Sequence, residues 1–241
     1  MNSKTFYPTL IFSFLILLGF SFGGCASMKK EIYIPLNPEV DRLPIYRKFS
    51  VQAGLFISEE DKNCVYKGTP SGSLLTNIVH VFPLGDALEK GSMQVFSQIF
   101  RHMEIVRTPA EAKKFKIVIA PQIEDFNFRY DEAKDYYLKQ MGDTRYIVPT
   151  AAVKVKITIY SEGARVWEKG IKSPEEKKPV PYNPGFANEK EMGEVVCEAL
   201  NYALKKMAEE IAQDPEVEKN AASISIDGLT KIYVQRVVGL H

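Results

Sequence analysis

The feature that most constrains this chain is a run of strict alternation late in the sequence. Val153, Val155, Ile157 and Ile159 are apolar, and Lys154, Lys156, Thr158 and Tyr160 stand between them. Side chains on a strand point alternately to opposite faces, so this pattern predicts a strand with one buried face. Such a strand needs partners along its edges and a layer over its apolar side. Its first partner follows at once, because Ser161-Glu162-Gly163 leads into a second strand carrying Trp167 and Ile171. A three-residue loop would place Ile157 opposite Trp167, Val153 opposite Ile171 and Lys156 opposite Glu168. A two-residue Glu162-Gly163 loop would place Ile157 opposite Glu168. The three-residue register buries like with like, pairs opposite charges and is the one expected.

The covering layer is also legible. From Asn188, a helix N-cap with Glu191 three residues on, the residues Met192, Val196, Ala199, Leu200, Ala203, Met207 and Ile211 recur at helical spacing. Asp214-Pro215 ends the run. A second helix is expected from Asp86 as N-cap with Glu89 reaching back, and it buries Leu88, Val95, Phe96, Ile99 and Phe100. A short helix is expected at Thr108-Pro109-Ala110-Glu111, with proline at the permissive first position. Strands are expected from Phe49 to Ile57, at Cys64 to Lys67, at Ile78 to Phe82, at Met103 to Arg107, and from Ile117 onward. In this last strand the apolar phase shifts between Ile119 and Phe126, and a bulge or edge position near Pro121 accounts for it. The order predicts an α+β domain: a mixed, mostly antiparallel sheet with helices packed on one face.

The first 25 residues read differently. Lys4 precedes an apolar run from Leu10 to Leu18, and Gly23, Gly24 and Cys25 follow. This is signal-peptide anatomy, and the run is too short for a permanent spanning helix. Phe22-Gly23-Gly24-Cys25 resembles the lipobox of bacterial lipoproteins. That resemblance implies cleavage before Cys25, diacylglycerol on its thiol and acylation of the new amino terminus. The processed chain would have 241 − 24 = 217 residues. The absence of Asp at Ala26 and Ser27 implies the outer membrane, facing the periplasm. The expected organisation is a signal peptide over 1–24, a lipid anchor and tether over 25–47, one domain over 48–213 and a tail over 214–241. The tether contains Pro35, Pro38 and Pro44, and as flexible coil it would span about 25 Å; Ile32, Tyr33 and Ile34 are alternatively a short strand docked on the domain. The tail, with Ile224, Ile226, Ile232, Val234 and Val237, is one more strand or an arm.

A fainter resemblance runs through the body. Phe82-Pro83-Leu84-Gly85, Pro109-Ala110-Glu111-Ala112 and Arg165-Val166-Trp167-Glu168 resemble segments of YajG-like periplasmic lipoproteins. The element order is similar to LptE-like and CsgG-like envelope-assembly modules. These groups are non-enzymatic, so the resemblance implies no catalytic residues.

Composition excludes several functions. The net charge is +1, with 31 Lys+Arg against 30 Asp+Glu, which gives no excess to neutralise phosphates, and no nucleic-acid partner is expected. Three cysteines and three histidines supply neither a disulfide scaffold nor a histidine-rich metal site. No nucleophile elbow, zinc-protease helix, P-loop or dinucleotide fingerprint occurs, and no cofactor or metal is expected. Glu124-Asp125 is the one adjacent carboxylate pair of interest, but neighbours on a regular strand point to opposite faces. His80 and His102 read as packed or surface histidines. The candidate partner surface lies on two excursions, 131–147 and 173–188, through Tyr136, Tyr137, Tyr146, Tyr182 and Phe186. Cys64 and Cys197 are candidates for a disulfide in an oxidising compartment. The expected function is a non-enzymatic outer-membrane lipoprotein, held in the membrane by covalent lipid, that binds or scaffolds an envelope protein partner. The alternatives are an auxiliary subunit of a lipid or solute export system and a glycan or peptidoglycan hydrolase.

Overall fold

The structure, a computed structural model, describes residues 29–44, 49–71, 78–132, 146–181 and 188–222. Its backbone is a seven-stranded sheet. Strand β7 (Tyr146–Ser161) and strand β6 (Ile117–Glu132) form a long antiparallel pair at its centre. Beyond β6 lie β2 (Phe49–Phe56), parallel to it, and then β5 (Phe100–Val106), parallel to β2. The other edge of β7 is covered in succession by β8 (Ala164–Lys172), β9 (Glu176–Lys177) and β10 (Val180–Pro181), all antiparallel. A second sheet has the order β1 (Lys30–Tyr33), β4 (Ile78–Phe82), β3 (Tyr66–Gly68), with β1 parallel to β4 and β3 antiparallel to it. The fold is therefore α+β with mixed, mostly antiparallel sheets.

The helices are α1 (Glu59–Lys62), α2 (Leu84–Phe96), α3 (Pro109–Ala112), α4 (Glu189–Gln213) and α5 (Pro215–Ala222). Helix α4 lays its whole expected stripe on the sheet; Met192, Val196, Ala199, Leu200, Ala203, Met207 and Ile211 are all buried, and so are Val153, Val155, Ile157 and Ile159 beneath it. Helix α5 continues the layer with Val217 and Ala221. Thr108 caps α3 through its side chain, which accepts from the Glu111 amide at 3.2 Å.

Helix α2 begins earlier than the Asp86 cap. Its first turn is satisfied by the chain itself, because the Gly85 amide donates to the Cys64 carbonyl at 3.0 Å. Glu89 does not reach back to a cap; it takes the Arg107 guanidinium, with Nη2 3.0 Å from Oε1.

Two registers differ from expectation. The phase shift in β6 is a bulge, but it falls between Ile123 and Asp125 rather than at Pro121. Pro121 stays in phase opposite Ile157, and Glu124 is the extra residue. The β7–β8 hairpin turns on two residues, Glu162 and Gly163, with φ of 52° and 83°. Positive φ at both positions matches the right-handed twist of the strands, which a three-residue loop does not need. A bulge at Val166 then moves the pairing by one. Ile159 faces Trp167, Val155 faces Ile171 and Thr158 faces Glu168. The bulge recovers the like-with-like pairing that the other loop length was chosen to give.

The segment before the domain is docked. Ile32, Ile34, Leu36 and Leu43 are buried. Gln94 of α2 and Gln98, two residues past its end, hold it in place, accepting from the Val40 amide at 2.9 Å and the Leu43 amide at 2.8 Å. Gly193 of α4 passes so close that a Cβ there would overlap the Pro35 carbonyl oxygen. The strand alternative for Ile32 to Ile34 is the one realised, and residues 30–43 are packed on the domain.

Candidate functional site

The two sheets meet through an aromatic cluster. Phe82 and Phe128 lie 4.7 Å apart between ring centroids, and Tyr66 and Phe126 lie 4.9 Å apart. His80 is buried among these rings, and the Tyr130 hydroxyl lies 2.9 Å from its Nε2 and 3.2 Å from Met192 Sδ. Burial pushes the His80 imidazole down to about 4 and the Tyr130 phenol upward. A neutral imidazole walled by rings is a packing group. His102 is at the surface beside Glu104, 2.8 Å away.

This cluster fixes which ends of the strands coincide. Ile78, at the start of β4, stands opposite Lys30. Ser71 bridges to Arg129, and its carbonyl accepts from the Tyr130 amide at 2.9 Å. Glu132 pairs with Ile147, and Tyr146 pairs with Pro181. The chain thus enters the domain at Lys30, leaves for 72–77, leaves for 133–145 and leaves for 182–187, all at one end. Tyr146 belongs to β7 by its backbone. Cys25, Tyr136, Tyr137, Tyr182 and Phe186 lie outside the described residues.

The excursion expected over 173–188 is largely structured. Ser173 enters the ladder, donating its amide to the Val153 carbonyl at 2.8 Å and accepting the Val153 amide on Oγ at 3.1 Å. Strands β9 and β10 follow along β7, whose edge requires partners beyond β8; Pro181 is tolerated because it stands on an edge. An ion cluster clamps this strap. Arg129 donates from both terminal nitrogens to Glu175, each at 2.7 Å, and from Nε to Asp131 at 2.8 Å. The Thr150 hydroxyl donates to Asp131 at 3.1 Å. The guanidinium holds both Glu175 and Asp131 below the usual carboxylate range, through its hydrogen bonds first. The roots of the excursions are fixed by backbone pairing and by this clamp.

The bulge brings Glu124 and Asp125 to one face of the sheet, which a regular strand would forbid. Each carboxylate is engaged by lysine. Glu124 Oε2 is 2.8 Å from Lys154 Nζ and Oε1 is 3.7 Å from Lys156 Nζ; Asp125 Oδ2 is 3.4 Å from Lys172 Nζ. The hydrogen bond from Lys154 lowers the Glu124 carboxyl, whereas a glycosidase acid needs a raised one. Among the described residues no group of three or more His, Cys, Asp or Glu could hold a metal ion.

Cys64 and Cys197 are free thiols. Cys64 lines a cleft with Tyr66, Leu84 and Ile123, and Cys197 lines another with Pro35, Asn37 and Gly193. The disulfide expected between them is not formed, because the two side chains face different surroundings. Burial pushes the Cys197 thiol up to about 11. Trp167 is half-buried against the core, opposite Ile159.

The outer face of the sheet carries one further feature, at the end opposite the entry point. A groove of about 790 Å³ lies beside α3, lined by Phe56, Phe115, Val118, Ala120 and Tyr160. Sequence reasoning missed it. Its apolar residues come from four separate stretches, and within β6 the outward pair Val118 and Ala120 merges with the inward Ile117 and Ile119.

No protein-family model matches this chain, and no curated protein matches it. Among solved structures it is similar to protein XCC0632 from Xanthomonas campestris, of the DUF330 family, at 9% identity and a TM-score of 0.46, covering 80% of this chain and 100% of that one. It is similar to a neuraminyllactose-binding hemagglutinin homolog from Helicobacter pylori at 9% identity and a TM-score of 0.40, covering 79% and 98%. A minor lipoprotein from Acinetobacter baumannii gives 8% identity and a TM-score of 0.30, covering 71% and 95%. Among the described residues no helix is long and apolar enough to cross a membrane.

Proposed function

We propose that this protein is a lipid-anchored, non-enzymatic envelope protein of the outer membrane, facing the periplasm, which binds an envelope partner through the end of the domain nearest its anchor. One observation carries the reading: the register of β1 against β4 brings the chain into the domain at the same end from which 133–145 and 182–187 depart. Five peptide steps separate Cys25 from Lys30, which allows at most about 18 Å of chain. An acylated Cys25 therefore keeps the roots of these excursions close to the membrane surface. The tyrosines at 136, 137, 146 and 182 are amphipathic, and suit a surface that is wet before binding and covered after it.

The test of the anchor is fractionation. Cys25→Ser is expected to move the protein out of the membrane pellet, because among the described residues no helix is long and apolar enough to cross the membrane; retention of the mutant after a high-salt wash would refute the anchor. A second reading, an auxiliary subunit of a lipid or solute export system, is favoured by the apolar groove on the outer face of the sheet.

A further inference from the structure

Most of the outer face of the sheet is charged. Lys154, Lys156, Glu124, Asp125 and Lys172 pair with one another across it. Toward the Gly163 end this pattern stops, and apolar side chains take over. Phe56, Phe115, Ala120 and Tyr160 are all partly exposed, and Val118 lies buried beneath them. Phe115 is pressed onto the sheet at Gly54, where an added Cβ would come within 3.0 Å of its ring and 2.7 Å of Val106 Cγ2. The absence of a side chain at Gly54 seats Phe115 as one wall, and Tyr160 forms the other. The resulting groove of about 790 Å³ falls in the range of ~300–1,000 Å³ typical of small-molecule sites.

Its rim has a sign. Lys113, Lys114 and Lys116 border it, against one carboxylate, Glu162. Lys113 and Lys114 are exposed and make no ion pair among the described residues, in contrast to the neutralised lysines elsewhere on this face. The Glu162 amide donates to the Lys116 carbonyl at 3.1 Å, which ties the hairpin turn to the residue just before β6 and keeps the mouth in shape. An apolar trough with a basic rim is complementary to a molecule with an apolar chain and an anionic head.

We infer that the groove binds a single-chain anionic amphiphile, its alkyl chain lying on Val118 and Ala120 between Phe115 and Tyr160 and its head held at Lys113 and Lys114. This site is separate from the anchor. Ile117 and Tyr130 stand thirteen residues apart on β6, roughly 40 Å at the rise of an extended strand, so the groove opens at the far end from Lys30. Nothing in the inference requires lipid on Cys25 or a partner at the excursions.

The test uses the full chain in nanodiscs of zwitterionic lipid. Two photoreactive probes share a twelve-carbon diazirine chain, one ending in phosphate and the other in an uncharged alcohol. The phosphate probe is expected to label the tryptic peptides 117–129 and 157–165, which hold Val118, Ala120 and Tyr160. Ala120→Trp fills the trough and should cut that labelling about tenfold. The double variant Lys113→Glu/Lys114→Glu should cut labelling by the phosphate probe about fivefold and leave the alcohol nearly unchanged. Millimolar inorganic phosphate should not compete, since the chain supplies the apolar contact. Equal labelling by the two probes in the wild type would overturn the head-group assignment. Labelling that survives Ala120→Trp, or that maps outside the two peptides, would overturn the site. Circular dichroism melts of both variants confirm that lost labelling is not lost folding. Any of these failures leaves the Cys25→Ser fractionation result standing on its own.

Discussion

At the scale of single residues, His80 gives the clearest pH signature. Its folded-state value of about 4 lies below the ordinary histidine value near 6.5. The unfolded chain therefore binds the proton more readily than the folded one. The stability that neutral burial confers is complete above about pH 6.5 and is lost as pH falls toward 4. At ~1.4 kcal/mol per pKa unit, discounted for partial screening, the loss is on the order of 2 kcal/mol. Urea midpoints measured at pH 7 and pH 4.5 should separate in the wild type, and by less in His80→Leu. The thiols make a second residue-scale prediction. With both free and Cys197 buried, the denatured, non-reduced protein should alkylate at both positions. In the native protein Cys64, which is partly exposed, should react before Cys197; a disulfide-linked Cys64–Cys197 peptide pair in the non-reduced digest would contradict this.

At the scale of elements, the docking of the entry segment depends on close approach. Gly193 lets α4 pass against the Pro35 carbonyl, and Gly85 lets α2 pass against the carbonyl of Lys62. Both obstacles are backbone and cannot swing aside. Gly193→Ala should therefore cost about 1–3 kcal/mol, in the range of overpacked cores, and should expose residues 30–43 to limited proteolysis before the rest of the domain. Protection equal to the wild type would mean that the β1–β4 pairing and the Gln94 and Gln98 hydrogen bonds hold the segment without the close approach of α4. This segment also shows where sequence reading runs out. The α4 stripe and the β7 alternation are local periodicities, and the elements they predict are present. Ile34 and Leu36 alternate as well, but between prolines, and the glutamines that satisfy their neighbours lie more than fifty residues away. In β6 the phase shift is visible in sequence, yet its location is not. Pro121 is the conspicuous residue, and the bulge falls on Glu124, whose charge is content to face solvent. The hairpin was ambiguous because two different registers bury like with like once a bulge is allowed.

At the scale of the whole molecule, the long β6–β7 pair works as a spacer with different surfaces at its two ends. One end receives the chain from its N-terminal segment and is the root of the tyrosine-bearing excursions; the other carries the basic-rimmed groove. The convergence at the first end could not be read from sequence, because it depends on β1 pairing parallel to β4 and on β10 reaching Tyr146. Removing the Arg129 clamp should loosen the strap that carries the second excursion. Arg129→Ala is expected to speed amide exchange in 173–181 while leaving α4 protected, and unchanged exchange would show that β9 and β10 are held by their backbone pairing alone. The central claim is that the anchored end is the partner face, and it is tested most directly by site-specific photo-crosslinking in intact cells. A photoreactive phenylalanine is placed at Ser71 or Lys177 beside the excursion roots, or at Glu111 at the far end. The account predicts a discrete adduct with an envelope protein from Ser71 and Lys177 and none from Glu111. An adduct from Glu111 alone, or none at the anchored end in a protein that remains membrane-bound, would contradict it.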